Sequence, residues 1–251
     1  MRLVCLYDFS STADLALESA AFLAQAGKHE LVVYHVCEEG ELNEKKSALK
    51  QRADGLKPGV HATYYLDTGN FLEAFAEYVR RWPLDMLVFC TRGLQGWKQH
   101  LLGAQSVHLC ETCPAPALVL NHRALQKSSG EIICNVNYDG NITAIEPLLR
   151  DVLIPAGFYR CVVHAVDDGG EGLSNLRQAE EILKQMPLEV AVHLEPKTVP
   201  SLGLAGDIIR FAAERPADLL LCRIKQGQLP TRHSDWERLL NNEEGLPVLV
   251  F

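Results

Sequence analysis

The sequence predicts the α/β fold class: two doubly wound, Rossmann-like domains, each a five-stranded parallel sheet with helices on both faces. Three observations predict it. Short apolar runs such as "ELVVYHVC" and "LDMLVFC" carry almost no polar alternation, as strands buried on both faces do. These runs alternate with longer amphipathic segments, the order of consecutive βαβ units. The pattern is also written twice in 251 residues, a length that suits two domains of roughly 100–150 residues.

The elements follow in order. "RLVCLYD" reads as a first strand. "SSTADLALESAAFLAQAG" reads as a helix with Leu15, Ala16, Ser19, Phe22 and Leu23 on one face. Ser11 with Asp14 has the pattern of a capping box there, and Gly27 that of a C-cap. "ELVVYHVC" is the second strand, "ELNEKKSALKQRADGL" a polar amphipathic helix and "HATYYLDTG" the third strand. "NFLEAFAEYVRRW" is a helix opened by Asn70, with Glu73 three residues on. "LDMLVFC", "WKQHLLGAQSVHLCET" and "APALVLN" supply the fourth strand, fourth helix and fifth strand of a domain over 1–121. "HRALQKSSG", residues 122–130, is polar, ends in Ser-Ser-Gly and reads as a linker to a second domain over 131–251.

In that second domain "RCVVHAVDDGG" matches "LVVYHVCEEG", pairing His164 with His35. "AERPADLLLC" matches "RRWPLDMLVFC", pairing Asp218 with Asp85, and "PVLVF" matches "PALVL", pairing Pro247 with Pro116. Asp139 and Asp8 each follow a first strand. The four pairs keep their order and stand about 130 residues apart, the mark of an internal repeat. The apolar final strands predict that the two domains pack as an intramolecular pseudo-dimer, since an uncovered apolar edge invites aggregation.

A net charge of -8 argues against a nucleic-acid partner or an anionic membrane surface. No apolar run reaches the roughly 18 residues of a membrane helix, and "MRLVCLYDFSS", interrupted by Asp8, reads as a strand rather than a signal peptide. Of eight cysteines, Cys5, Cys90, Cys134, Cys161 and Cys222 lie in or beside apolar runs, which predicts buried thiols and a reducing, cytoplasmic setting.

"FCTRGLQGWKQHLLGAQS" has the order strand, glycine turn, helix. Backbone N–H groups at such a turn bind anions, and glycine lets the backbone come close to a phosphate. Gly93 and Gly103 suit that role, and Arg92, Lys98 and His100 add positive charge. The second half reads "RIKQGQLPTRHSDWERLLNNEEGLPVLVF" after its fourth strand. It has only Gly227 ahead of a short helix capped by Ser234, and no glycine cradle.

On these residues the sequence resembles the universal stress protein family in its tandem two-domain form. "YDFSSTADLALESAAFLA" resembles the family's first strand, aspartate and opening helix; "VYHV" resembles its second strand. "CTRGLQGWKQHLLGAQSVHLCETCPAPALVL" resembles its glycine motif, fourth helix and last strand. The family frame is Gly, two residues, Gly, nine residues, Gly, then Ser or Thr. Here Cys90 stands at the first glycine, Gly93 and Gly103 match, Ala104 replaces the hydroxyl, and Ser106 matches a second hydroxyl. The resemblance implies a nucleotide cleft at the carboxyl ends of strands one and four, with ATP or another adenine nucleotide as the N-terminal ligand. It implies that Asp8 faces the ribose or adenine and that the backbone near Val36 lines the adenine pocket. Cys90 and Ala104 predict a weak or lost site, because one adds a side chain and the other removes a hydrogen bond.

Other motifs read as structural. Cys110 and Cys113 form a C-x-x-C pair with His108 and His122 near, the pattern of a redox pair or half a zinc site. The pair closes a helix rather than opening one and has no second ligand pair, so reduced, metal-free thiols are expected. His35 and His164 read as strand histidines bonded to backbone, and Asp167-Asp168-Gly169-Gly170 as a solvated turn. No side-chain set is spaced for catalysis. The resulting expectation is a non-enzymatic stress-response module acting through an unknown protein partner. The alternatives are an ATP-binding switch, with slow hydrolysis, in the N-terminal cleft, and a thiol-redox protein using Cys110 and Cys113.

Overall fold

The computed structural model describes residues 1–91, 104–125, 129–137, 139–167, 171–196, 203–223 and 233–251. It is an α/β fold built on one ten-stranded sheet. The first five strands are β1 (Arg2–Leu6), β2 (Glu30–Cys37), β3 (His61–Thr68), β4 (Met86–Cys90) and β5 (Ala117–Leu120). The second five are β6 (Glu131–Asn135), β7 (Arg160–Asp167), β8 (Glu189–Pro196), β9 (Ala217–Cys222) and β10 (Val248–Val250). Their order is β3-β2-β1-β4-β5-β10-β9-β6-β7-β8. Every pairing is parallel except the central one, where β5 and β10 run antiparallel with Leu118 opposite Leu249. The two sets of strands therefore lie side by side without intermingling, and the apolar final strands cover each other's edges.

Helices coat both faces because the strands are apolar on both. Helix α1 (Ser11–Gly27) and α2 (Leu42–Asp54) cover one face of the first half. Helix α3 (Phe71–Arg81) and α4 (Ala104–Thr112) cover the other. In the second half the segment after β6 is a short helical stretch, α5 (Glu146–Leu148), continued by a π-helical turn over Leu149–Leu153. Helices α6 (Glu171–Leu183), α7 (Leu204–Ala213) and α8 (His233–Leu240) complete it. The side chains form two core layers, each running through both halves. Leu17, Leu23, Val33, Leu149, Val152 and Val163 belong to one. Phe75, Val107, Ile208, Trp236 and Val248 belong to the other.

Both ends of α1 differ from the sequence expectation. The N-cap of α1 is Ser10, not Ser11: its hydroxyl accepts from Ala13 N at 3.1 Å. Asp8 fixes that serine by accepting from both its N–H and its hydroxyl, while Asp14 accepts instead from the Tyr7 hydroxyl at 2.6 Å. At the other end Lys28, not Gly27, takes the left-handed C-cap conformation at φ 56. Gly27 is needed for space, because a Cβ there would come within 2.7 Å of the Asp151 carbonyl oxygen of the second half. Asn70 caps α3 as expected, accepting from Glu73 N at 3.3 Å.

The described start of the segment between the halves is pinned. Ala124 and Leu125 are buried, and Leu125 N donates to Ser19 Oγ of α1 at 2.9 Å. Asn121 donates to the Asn242 carbonyl at 2.7 Å. Asn242 in turn accepts from Leu246 N, which ends α8 earlier than the sequence "LLNNEE" suggests.

Candidate functional site

In a doubly wound sheet the strand order reverses between β1 and β4, and ligands sit beyond the carboxyl ends of the strands there. Asp8 follows β1, and its Oδ1 closes the turn to Ser10 N at 3.0 Å. Its Oδ2 is buried and has no hydrogen-bond partner among the described residues. Thr91 follows β4, and Ser106 lies in the first turns of α4. Both residues are buried, and Thr91 Oγ1 and Ser106 Oγ likewise have no partner among the described residues. Buried polar oxygens are normally satisfied. Three oxygens without a partner among the described residues belong to this end of the sheet, two just past adjacent strands and one near the start of α4.

Val36 adds a polar backbone edge. Tyr7 N donates to Tyr34 O at 2.9 Å, so Tyr34, and Val36 two residues on, direct their peptide groups toward β1. The next rung would run from Val36 N to Tyr7 O. That carbonyl is instead bonded to His35 Nδ1 at 2.7 Å, and Val36 N–H and C=O have no partner on that side among the described residues. Burial pushes the His35 imidazole below its ordinary value, against the opposing effect of its bond to Tyr7 O. His35 is thus the backbone-bonded strand histidine the sequence suggests.

Cys90 is placed differently from the sequence expectation. Strand β4 continues through Cys90, so its side chain alternates onto the α1 face of the sheet, opposite α4. It is buried there with Cys5 and Leu120, and its thiol donates to Asn121 O at 2.8 Å. The sulfur is therefore in the core rather than in a phosphate path. Ala104 opens α4. Arg92, Gly93, Lys98 and Gly103 lie outside the described residues, as do Asp168, Gly169, Gly170 and Gly227.

Backbone register links the halves more closely than the sequence does, and it corrects one pairing. Leu87 N donates to Pro116 O, and Leu220 N to Pro247 O. Asp85 accepts from Arg2 N, and Asp218 from Gly130 N, each aspartate holding the start of its half's first strand. Val136 N donates to His164 O as Tyr7 N does to Tyr34 O, so His164 corresponds to Tyr34 and not to His35. A one-residue slip moves a side chain to the other face. Tyr34 packs among Tyr65, Phe75 and Tyr78 and donates to Asp67. His164 stacks on Phe211 at 3.9 Å, with Nε2 3.1 Å from Glu195. Burial lowers the pKa of His164 to about 4.

The same register makes Asn137, the residue after Val136, the counterpart of Asp8. Asp139 instead closes the turn, accepting from Asn141 N at 2.8 Å. Sequence reasoning missed Asn137, because only the β6–β7 register reveals its position.

Elsewhere, Cys110 lies in the last turn of α4 and Cys113 just past its end. Burial pushes both thiols above their ordinary range, which leaves little thiolate. No group of three or more potential metal ligands occurs among the described residues. A groove of about 1000 Å³ between α1 and α2, lined by Leu17, Phe22, Arg52 and Leu125, lies apart from the β1–β4 cleft. No helix among the described residues is long and apolar enough to cross a membrane.

Residues 1–121 match the model of the Universal stress protein family. The fold likeness extends further. A universal stress protein from Archaeoglobus fulgidus superposes with a TM-score of 0.76 at 18% identity, covering 99% of this chain and 95% of that one. A functionally unknown protein from Pseudomonas aeruginosa gives 0.61 at 13% identity over 100% and 92% of the two chains. The cytoplasmic domain of a prokaryotic cation chloride cotransporter gives 0.56 at 12% identity over 99% and 93%. No curated protein matches the sequence. The universal stress match coincides with the half that holds the three unsatisfied oxygens and the Val36 edge.

Proposed function

We propose that the chain is a stress-response protein of tandem universal-stress type, with domains at 1–121 and 131–251 joined by 122–130 and packed as an intramolecular pseudo-dimer. It acts as a non-enzymatic regulatory module in the cytoplasm, and its N-terminal cleft takes an adenine nucleotide weakly. The observation that carries the ligand reading is the cluster of unsatisfied buried oxygens on Asp8, Thr91 and Ser106 beside the Val36 backbone edge. A backbone N–H next to a C=O offers one donor and one acceptor, which the amino-pyrimidine edge of adenine matches. Asp8 would accept from a ribose hydroxyl or from the base, and Thr91 and Ser106 would donate toward phosphate oxygens. Arg92, Lys98, Gly93 and Gly103 belong to the same sequence motif and would serve the phosphates. Ala104 supplies no hydroxyl there, and one missing hydrogen bond to a charged group weakens affinity by about ten- to a hundredfold.

Calorimetric titration with ATP and magnesium tests this. The wild-type chain is expected to bind with a dissociation constant on the order of 10–100 µM, and Asp8→Ala to weaken binding by about tenfold. Absence of saturable binding, or an Asp8→Ala chain that binds as the wild type does, would refute the reading.

A further inference from the structure

The second half contains the same backbone edge, and one of its own side chains occupies it. His164 O accepts from Val136 N, so Val166, two residues on, presents its N–H and C=O toward β6 as Val36 does toward β1. Asn137 closes on both groups: Val166 N donates to Asn137 Oδ1 at 3.0 Å, and Asn137 Nδ2 donates to Val166 O at 2.8 Å. A carboxamide and the amino-pyrimidine edge of adenine present the same donor and acceptor side by side. Asn137 itself is buried and held in place by Asn135, which donates to Asn137 Oδ1 at 2.8 Å.

The rest of this cleft is also bridged. Arg223, just past β9, places Nη1 2.9 Å from Asp139 Oδ2 and also donates to the Asn141 carbonyl. It ties the loop after β6 to the end of β9, the counterparts of β1 and β4, between which the N-terminal cleft lies. By the β9–β10 register Arg223 corresponds to Cys90, whose side chain turns into the core instead. Asn175 of α6 completes the closure by donating to Val136 O at 2.9 Å, the carbonyl that corresponds to Tyr7 O.

We propose that the C-terminal half holds a second adenine-type base site kept shut by its own chain, with the Asn137 carboxamide in the place of the base and Arg223 clamping the cleft. The two halves then differ in occupancy rather than in fold: the N-terminal edge is available to an external ligand, and the C-terminal edge is satisfied internally. Asn137 is the residue that sets the number of base sites per chain. The proposal rests on the adenine reading of the N-terminal cleft, and its test separates the two.

The test is nitrogen-15 NMR on the full chain, following the Val36 and Val166 amides with adenosine as the probe. In the ligand-free wild type the Val166 amide is expected to exchange with solvent at least tenfold more slowly than that of Val36, a difference of about 1.4 kcal/mol in opening. Adenosine is expected to shift the Val36 amide and leave Val166 unmoved. In Asn137→Ala the Val166 amide should exchange at least tenfold faster than in the wild type and shift on adding adenosine, while Cys161 and Val163 keep their positions as a check on the fold. Failure of the N-terminal reading would show at Val36, as an amide adenosine does not move. Failure of this proposal would show at Val166. It would appear as equal exchange of the two amides in the free wild type, a measurement that needs no variant, as a wild-type Val166 that responds to adenosine, or as a folded Asn137→Ala chain whose Val166 does not.

Discussion

Replacing Cys90 with glycine completes the first position of the glycine frame that the sequence resembles, and on sequence grounds that should help a ligand. The structure predicts a loss of stability instead. Cys90 is 4% exposed, packs in the core on the α1 face and donates to Asn121 O at 2.8 Å. Cys90→Gly removes two buried heavy atoms, at about 1–1.5 kcal/mol. Glycine in a strand costs a further ~0.5–1 kcal/mol in backbone freedom. The lost thiol hydrogen bond adds about 0.5–1.5 kcal/mol, with a thiol at the low end of that range. The variant is therefore expected to be about 2–4 kcal/mol less stable, a roughly 30- to 700-fold fall in the folded-to-unfolded ratio. Cys90→Ala keeps the Cβ and should lose about half as much. Urea unfolding followed by far-ultraviolet circular dichroism measures both. If Cys90→Gly stays within about 0.5 kcal/mol of the wild type, or binds ATP more tightly at unchanged stability, the sulfur is in the cleft and the core assignment of Cys90 is wrong.

Three further outcomes follow from the same structure. His164, with its pKa lowered to about 4, stays neutral in the fold while its unfolded form protonates near 6.5, so its contribution is present above that value and is lost as pH falls from 6.5 toward 4. Against His164→Tyr, the residue the first half uses there, the wild type should lose on the order of 2–3 kcal/mol more across that window; parallel stability–pH profiles would refute this. Gly27→Ala should destabilise by about 1–3 kcal/mol, because its Cβ meets the His29 ring and the Asp151 carbonyl where α1 touches the second half, and an unchanged thermal midpoint would count against that contact. Cys110 and Cys113 should stay reduced and metal-free in protein purified without oxidant; stoichiometric zinc by elemental analysis would contradict this.

The α/β class was legible because parallel strands must be apolar on both faces, and runs such as "LVVYHVC" leave little else for them to do. The central β5–β10 contact was legible from the same rule, since two apolar final strands need cover. What the sequence concealed depends on partners distant in the chain. Ser11 looked like the cap of α1 because the capping pattern is local; Asp8 selects Ser10 through a turn the pattern does not encode. Gly27 looked like a C-cap because helices commonly end in glycine, whereas here it makes room for a carbonyl of the second half. His35 and His164 aligned by identity, yet the backbone register slides them apart by one residue and onto opposite faces of the sheet. The orientation of Cys90 depends on how far β4 extends, and that of Asn137 on the β6–β7 register. Neither is a property of composition or spacing. The places of Asp8 just past β1 and of Ser106 near the start of α4, by contrast, could be read from the motif because positions relative to strand and helix ends are local.

The measurement that bears most directly on the account is the number of adenine nucleotides the full chain binds at saturation. Equilibrium dialysis against labelled ATP with magnesium, carried well above the dissociation constant, gives that number without reference to any variant. One nucleotide per chain is the predicted result, with the N-terminal cleft open and the C-terminal one filled by Asn137 and Arg223. Two per chain would contradict the closure of the second half, and none would contradict the ligand assignment of the first.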